Sequence, residues 1–358
     1  MKIMKNDPIK SAAIYYFSGT GNAQKTTSWM ANSFREKGIQ AEIINIDSHR
    51  TKEHVNNNFD LIGFCSPTHG FNFPPVVLNF ITRFPKGKGQ KVFLVNTRAG
   101  MKMGKLFLPG LSGIAQLFSA LILFLKGYRI VGMQPIDMPS NWISIHPGIK
   151  LQVATSIMHR CKIIVEKFAL RIANGEKDFR ALFDIVQDLM IAPISLGYYL
   201  VGRFIFAKSF YADRNCTLCY KCIKECPVSA IKKIDSRPFW THHCESCMHC
   251  MNNCPVNAIQ TAHGMVAGTL YVSISVILKL VWEILLKQTN SPFIDKIYEV
   301  GMLKFTIESI VAIFFLILAY RIMHFLLKIP FFERFISYTS LTSYRFWRRF
   351  KSPKINAI

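Results

Sequence analysis

The sequence predicts an α/β protein in which a five-stranded parallel sheet precedes a small cysteine-rich α+β module and a helical, apolar C-terminal region. Short apolar runs alternate with helical patterns through the N-terminal half of the 358 residues. This alternation is typical of parallel strands joined by crossover helices. One cysteine pattern then occurs twice, and a shift to long uncharged stretches after residue 262 indicates the third region.

The predicted strands and helices follow one another in regular alternation. The first strand is the apolar run 11–17, which ends at a glycine-rich loop, as buried parallel strands often do. The helix that follows, 23–37, has amphipathic spacing and ends at Gly38. The later strands are predicted at 41–46, 59–65, 91–96 and 128–133, and the later helices at 75–84, 114–126 and 151–173.

The loop after the first strand is rich in hydroxyl and glycine residues, with Ser18, Thr20, Gly21 and Asn22. Ligands of open α/β sheets bind in loops beyond the carboxyl ends of the strands. The free N–H groups at the start of the next helix suit a phosphate. Ordinary turns use the same residue types, so the composition of the loop leaves a purely structural turn open.

This loop resembles the phosphate loop of flavodoxins, which has the form Ser/Thr-x-Thr-Gly-Asn-Thr. The chain has Ala23 in place of the last threonine and therefore lacks one hydroxyl. The segments 66–71 and 96–100 lie where flavodoxins place the two loops that flank the flavin ring. The resemblance implies FMN bound by Ser18, Thr20, Gly21, Asn22, Pro67, Thr68, Phe71, Asn96 and Gly100.

The residue that stacks on the flavin ring is left open by the sequence. Phe71 and His69 both lie in the 66–71 segment that the resemblance assigns to the ring. For Phe71 and Phe73, ordinary packing against the sheet is an equally good interpretation, since large aromatic side chains dominate protein cores.

The two copies of the cysteine pattern read Cys-x2-Cys-x2-Cys-x3-Cys-Pro. This spacing is that of bacterial two-cluster ferredoxins, in which the fourth Cys of each run binds the other cluster. We therefore predict two [4Fe–4S] clusters. The first is assigned to Cys216, Cys219, Cys222 and Cys254, and the second to Cys244, Cys247, Cys250 and Cys226.

Other uses of these cysteines explain the pattern less well. A zinc site needs four ligands, which accounts for neither the third Cys of each run nor the trailing proline. A disulfide framework needs an oxidising compartment, and the charged residues 1–10 show no secretory signal. Cys65 and Cys161 lie in apolar contexts, where a buried, inert thiol is expected.

Residues 11–262 together resemble the EFR-type ferredoxins, in which a flavodoxin-like domain precedes a two-cluster ferredoxin module. The segment 138–142, Met-Pro-Ser-Asn-Trp, is similar to a motif of that family after the fifth strand. The resemblance implies an electron-transfer protein with two clusters and FMN. Two alternatives remain: a flavin-dependent oxidoreductase of a small substrate, and a redox sensor that carries a ferredoxin on a vestigial flavin fold.

Four segments are predicted: a flavodoxin-like domain (1–176), an apolar helical connector (177–209), a two-cluster ferredoxin domain (210–262) and a hydrophobic helical region with a basic, aromatic tail (263–358). A packed connector and a membrane-dipping helix are both open for the apolar stretch 181–208. The runs 263–286 and 305–327 approach the length of a membrane span. They are interpreted as a two-span hairpin or as buried helices of a soluble cap.

The charge distribution indicates the partners and the location. The chain has 44 Lys and Arg against 21 Asp and Glu, a net charge of +23, which favours acidic redox proteins and anionic membranes. Nucleic acid is not expected, because the cations are spread out and no binding motif accompanies them. From Arg321 onward the sequence has eight basic residues and one acidic residue. We therefore expect a cytoplasmic protein attached to the cytosolic membrane face through residues 263–358.

Overall fold

The computed structural model describes residues 8–47, 56–273, 275 and 301–347. They form two compact units. The first unit contains the described residues up to Tyr199 together with Cys247–Asn252, and the second contains those of Leu200–Ser246 and Asn253–Trp347. Half of the run 263–286, and the tail cations Arg348, Arg349, Lys351 and Lys354, lie outside the described residues.

The first unit is built on a six-stranded sheet covered by helices. Its elements are β1 (Ser11–Tyr16), α1 (Asn22–Glu36), β2 (Gln40–Asn45), β3 (Leu61–Pro67), α2 (Pro75–Arg83), β4 (Lys91–Met103), β5 (Leu106–Leu108), α3 (Ala115–Leu125), β6 (Arg129–Pro139) and α4 (Leu151–Ala173). The five parallel strands lie in the order β2-β1-β3-β4-β6. This is the flavodoxin-like order, so the predicted fold class is confirmed.

The core of this unit lies on both faces of the sheet. Four consecutive residues of β1, from Ala12 to Tyr15, are fully buried, as expected for a central parallel strand. Cys65 and Cys161 are buried as well, and loss of solvent raises the pKa of each thiol to about 12. Both are therefore the inert core thiols that their apolar contexts predicted.

Strand β4 is longer than the sequence predicted. It continues past Asn96 to Met103 and then turns at Gly104, whose φ is +59°, to pair antiparallel with β5. The polar and glycine residues after Asn96 have the composition of a loop. They nevertheless stay extended, because β6 pairs with β4 as far as Gly100.

A helical connector follows α4. A 3-10 turn (Arg180–Asp184) leads into α5 (Ile185–Gly197), a π-helical turn (Tyr198–Gly202) and α6 (Arg203–Ala207). Its residues 180–207 are long and apolar enough to cross a membrane, with a mean hydropathy of 1.6, and only 6% of the most apolar stretch is buried. The connector is therefore helical, and few of its side chains are buried.

The second unit contains most of the cysteine-rich module, which we define as residues 210–262. Strand β7 (Phe210–Ala212) pairs antiparallel with the last strand of the module, β10 (Ile259–Thr261). A hairpin of β8 (Ile231–Ile234) and β9 (Arg237–Trp240) turns at Asp235 and Ser236, both with positive φ, as type I′ turns require. Two short helices, α7 (Lys221–Lys224) and α8 (His249–Asn253), complete the module.

The described C-terminal residues form α9 (His263–Val272), α10 (Gly301–Leu326) and α11 (Pro330–Tyr338). The end of α10 packs on the module: the Tyr320 hydroxyl donates to the carbonyl oxygen of Phe210 at 2.9 Å, and His324 Nε2 lies 3.2 Å from that of Ile234. Residues 306–326 have a mean hydropathy of 2.1 and spanning length, and 28% of their most apolar stretch is buried. Ile310 and Phe314 are among the exposed side chains.

Candidate functional site

The predicted phosphate loop joins β1 to α1. Gly21 has a φ of 96° and donates its N–H to Ser18 Oγ at 3.0 Å. Among the described residues no side chain caps α1, so its first N–H groups point into the loop uncapped. The Asn22 amide donates to the Pro139 carbonyl oxygen at 2.8 Å, while its buried Oδ1 has no hydrogen-bond partner in the part of the chain that the structure describes. The loop thus offers N–H donors for an anion and one acceptor for a hydroxyl.

The other side of this loop is covered by the second cysteine run. A Cβ atom added at Gly19 would overlap the carbonyl oxygen of Cys247. His249 Nδ1 lies 2.7 Å from the carbonyl oxygen of Gly19. All three residues belong to the first unit. No local sequence pattern signals these contacts, because they join segments about 230 residues apart.

The two predicted ring loops meet through one buried amide. Asn96 is fully buried; its Nδ2 donates to Thr68 Oγ1 at 2.7 Å and to Ser112 Oγ at 3.1 Å, and its Oδ1 accepts from Gln116. Both amide protons of Asn96 are therefore used within the protein. Gly100 is also engaged, since an added Cβ would overlap the Asp137 carbonyl oxygen.

Aromatic side chains gather at the 66–71 loop. Phe71 is half-buried and has a φ of 66°, a left-handed conformation that costs a non-glycine residue about 1–3 kcal/mol. The adjacent Gly70 lies directly against the Tyr198 ring, which contacts the Trp142 ring edge-on at 6.0 Å. Phe73 is buried and packs in the core. The sequence predicted Phe71 at this place but not Tyr198.

These loops match the shape and chemistry of FMN in part. The uncapped start of α1, the left-handed Gly21 and the unpaired Oδ1 of Asn22 fit a phosphate and a hydroxylated chain, and half-buried Phe71 fits a flat ring. The amide protons of Asn96, in contrast, are not available to a ligand. The residues present therefore fit FMN mainly through the phosphate loop and Phe71.

The four thiols of the first predicted set lie together in the second unit. Burial first, and then the neighbouring thiols of Cys216, Cys254 and Cys219, raise the pKa of Cys222 to about 12. The pKa of Cys216 is raised by burial and then by Cys254 and Cys219. Four thiolates can lie this close together only when a bound cation compensates their negative charges. Cys254 thus lies with the first run although it belongs to the second.

The backbone repeats along with the cysteines. Leu218, Tyr220 and Ser229 have φ values of 56°, 53° and 51°, and Ser246, Met248 and Asn257 have 49°, 62° and 52°. The second three stand at the same positions of the second run as the first three do in the first run. Left-handed non-glycine residues cost about 1–3 kcal/mol each and gather at functional sites.

The fourth cysteine of each run receives the same hydrogen bond. The N–H of Ala230 donates to Cys226 Sγ and that of Ala258 to Cys254 Sγ, both at 3.2 Å. Backbone donors to a ligating sulfur tune the bound metal centre. In both copies, the repeated Cys-Pro-Val-x-Ala-Ile sequence therefore places the N–H of its alanine on the sulfur of its cysteine.

No group of three or more His, Cys, Asp or Glu side chains in the described ranges is arranged to chelate one metal ion. In a four-iron cluster each thiolate binds a different iron, so its ligands stand farther apart than those of a single ion. Of the second predicted set, Cys226 and Cys244 belong to the second unit, whereas Cys247 and Cys250 belong to the first.

No protein-family model matches the chain, and a search of curated proteins finds no match. Among solved structures, an archaeal flavodoxin is 13% identical with a TM-score of 0.32, and the similarity covers 46% of this chain and 97% of that protein. Megasphaera elsdenii flavodoxin is 20% identical with a TM-score of 0.30, over 44% of this chain and 98% of that protein. Rubredoxin oxygen:oxidoreductase from Desulfovibrio gigas is 16% identical with a TM-score of 0.31, and the similarity covers 47% of this chain and only 37% of that protein. The strand order above defines the first unit as a flavodoxin-like domain.

Proposed function

We propose that the protein is an electron carrier of the EFR type, with two [4Fe–4S] clusters on the eight paired-run cysteines and FMN in the flavodoxin-like domain. The observation that supports this best is the position of Cys254, whose thiol neighbours Cys216 and Cys222. An exchange of the fourth ligand between two runs is a feature of two-cluster ferredoxins, and a zinc site has no need of it.

The residues around the first set suit a cluster. Cys216, Cys219, Cys222 and Cys254 supply four thiolates, and the N–H of Ala258 offsets part of the charge on Cys254. A bound cluster accepts and releases single electrons. The second cluster is proposed from the spacing of Cys226, Cys244, Cys247 and Cys250 and from the matching φ values of the two runs.

Iron analysis of single Cys variants tests the cluster proposal. Protein purified without air is expected to hold about eight iron atoms and an equal amount of sulfide. Cys254→Ser should lose about half of the iron, whereas Cys161→Ser, at a buried thiol outside the runs, should lose none. Full iron content in Cys254→Ser, or zinc in the wild-type protein, would contradict the proposal.

The FMN part of the proposal concerns the phosphate loop and Phe71. The uncapped N–H groups of α1 would hold the phosphate, Asn22 Oδ1 would accept from a ribityl hydroxyl, and Phe71 would lie against the ring. Bound FMN exchanges electrons singly or in pairs, so it can join a two-electron donor to one-electron carriers.

Two glycines at opposite ends of α1 provide a matched test of FMN binding. Gly21 (φ +96°) and Gly38 (φ +77°) both have left-handed backbones, but only Gly21 lies in the phosphate loop. Gly21→Ala should weaken FMN binding about five- to thirtyfold, because about 1–2 kcal/mol of strain would fall on the loop itself. Gly38→Ala should bind FMN as the wild type does; equal losses in both variants would argue against this site.

A second candidate is a ferredoxin whose flavodoxin-like domain is only a scaffold. The close packing of the Cys247 backbone on Gly19 favours it, because the protein itself covers this side of the phosphate loop. The use of both Asn96 amide protons within the protein points the same way. Purified protein with about eight irons and no flavin, and no FMN binding on titration, would support this candidate over the first.

We also propose that the protein attaches to the cytosolic membrane face through its C-terminal region. The exposed apolar residues of α10, such as Ile310 and Phe314, and the aromatic cluster of Tyr344, Phe346 and Trp347 support this. Acidic redox proteins are the proposed electron partners, given the net charge of +23. Deletion of residues 306–358 should lower the fraction of the protein in membrane pellets, and retention equal to that of the full-length protein would contradict the attachment.

A further inference from the structure

The face of the connector that turns toward the flavodoxin-like domain is polar. Asp188 and Ser195 of α5 are 2% and 1% exposed, and Asp184 pairs with Arg98 at 2.6 Å. The backbone of Gly113 hydrogen-bonds to the carboxylate of Asp188. These polar residues recur at helical spacing and belong to the first unit. The inward face therefore carries the acidic residues of the segment.

The outward face of the same helix is apolar. Phe183, Val186, Met190 and Ile194 follow one another at intervals of three and four residues and are 81%, 71%, 76% and 59% exposed. Leu189 and Leu196 broaden this stripe and are also exposed. At this spacing the side chains share one face of the helix.

This arrangement reverses the usual amphipathic pattern. A surface helix of a water-soluble domain turns its apolar stripe to the core and its charged residues outward. A large contiguous apolar surface marks an interaction site, because each exposed Å² of it costs about 25 cal/mol in water. The outward face of residues 180–197 therefore suits surroundings that are less polar than water.

The charges at the ends of the segment indicate which surroundings these are. Within residues 180–207 the charged side chains are Arg180, Asp184, Asp188 and Arg203. The two acids face inward, so the exposed apolar stripe has no anion on it, and the Arg180 guanidinium lies at its start, 5.6 Å from the centre of the Phe183 ring. An apolar stripe with a cation at its start, in a chain of net charge +23, is complementary to an anionic bilayer surface.

The inward contacts also determine how the helix meets the bilayer. The Arg98–Asp184 pair and the Gly113–Asp188 hydrogen bond hold one side of the helix on the domain. Crossing the membrane would bring these charged groups into hydrocarbon, which is unfavourable. A helix held in this way can immerse only its outward stripe, as helices lying in the interface plane do.

We propose that residues 180–197 are an in-plane membrane anchor, with Phe183, Val186, Met190 and Ile194 in the acyl boundary of an anionic bilayer. The anchor belongs to the flavodoxin-like domain and is separate from the C-terminal attachment. It does not depend on either cofactor.

Vesicle flotation of the full-length protein tests the anchor. The wild type should bind vesicles of phosphatidylcholine mixed with phosphatidylglycerol more strongly than vesicles of phosphatidylcholine alone. Phe183→Gln with Met190→Gln should weaken binding to the mixed vesicles at least about tenfold. The matched control is Met103→Gln with Leu106→Gln on the exposed β4–β5 hairpin, which should bind like the wild type. Equal binding of the two double variants would overturn the proposal.

Depth-dependent quenching separates this anchor from the C-terminal region. Phe183→Trp and Met103→Trp each add a tryptophan at an exposed site of the first unit. In vesicles with acyl chains brominated near the headgroup, only the emission added by Phe183→Trp should be quenched. Absence of that quenching would overturn the proposal. The proposal would also be overturned, in favour of a second copy of the chain, if the double variant Phe183→Gln with Met190→Gln lost a dimer in solution without any change in vesicle binding.

Discussion

The imidazole Nδ1 of His249 lies 2.7 Å from the carbonyl oxygen of Gly19, 230 residues away in the chain. A carbonyl oxygen only accepts hydrogen bonds, so Nδ1 carries the proton and donates it. In the same place the backbone of Cys247 lies against the Cα of Gly19. The middle of the second cysteine run therefore rests on the phosphate loop of the flavodoxin-like domain.

This contact predicts that Gly19 cannot carry a side chain. In Gly19→Ala the added Cβ would overlap the carbonyl oxygen of Cys247, and backbone atoms yield less readily than the end of a flexible side chain. We expect a loss of about 1–3 kcal/mol in the free energy of unfolding, measured by urea titration. Gly268→Ala, a helical position with open space around it, should be neutral or slightly stabilising. A stable Gly19→Ala protein would show that the loop and the second run do not touch.

The left-handed backbone at Leu218 predicts an unusual order of substitutions. Leu218 is exposed and has a φ of 56°, so its side chain adds strain without much packing. Leu218→Gly should be neutral or stabilise the iron-loaded protein by up to about 1 kcal/mol, whereas the β-branched Leu218→Val should destabilise it by about 1–2 kcal/mol. The midpoint of urea unfolding reports both, and a reversed order would rule out the strain.

Substitution of Arg98 should have a large effect on the stability of the flavodoxin-like domain. Arg98 is buried and pairs with Asp137 at 2.7 Å and with Asp184 at 2.6 Å. Arg98→Met would leave both carboxylates without a counter-charge, so we expect a loss of about 3–5 kcal/mol in the free energy of unfolding. Lys162→Met removes the half-exposed 3.8 Å pair with Glu166 and should cost less than about 1 kcal/mol.

The effect of Arg98 should extend to the connector. Because Asp184 begins the polar face of the proposed anchor, Arg98→Met should also increase proteolysis between residues 180 and 199. Lys162→Met should leave the cleavage pattern unchanged. An Arg98→Met protein as resistant to protease as the wild type would mean that the pair does not hold the connector.

Because the Tyr15 hydroxyl is buried, the folded protein should lose stability at alkaline pH. This hydroxyl donates to the Asn56 carbonyl oxygen at 2.6 Å; burial above all raises its pKa from 10.0 to about 12. The folded state therefore keeps a proton that the unfolded state releases above pH 10. The stabilisation is complete below pH 10 and declines by about 2–3 kcal/mol as the pH rises to 12.

Tyr15→Phe isolates this effect. The variant should be about 1 kcal/mol less stable than the wild type at neutral pH, because it lacks the hydrogen bond. The difference should shrink and then reverse between pH 10 and 12, measured by urea unfolding at each pH. Tyr338→Phe, at an exposed tyrosine, should follow the wild-type curve, and a parallel course for Tyr15→Phe would contradict the assignment.

The elements and motifs could be predicted because their signals are local. The apolar run of β1 and the periodicity of α4, which has the predicted bounds Leu151–Ala173, reflect residues a few positions apart. The spacing of the cysteine runs and the glycine-rich loop are local as well. Such patterns follow from the geometry of single strands, helices and turns, so they are visible without the fold.

Other features depended on partners far along the chain. The extension of β4 to Met103 requires β6 and β5 beside it, and the covering of Gly19 requires Cys247 and His249. The connector shows the difference most clearly. Its apolar composition is plain in the sequence, but only Arg98 and Gly113 determine that its acids face inward and Phe183 and Met190 face outward. Periodicity identifies the two faces of a helix, whereas the groups that meet it in space decide which face is buried.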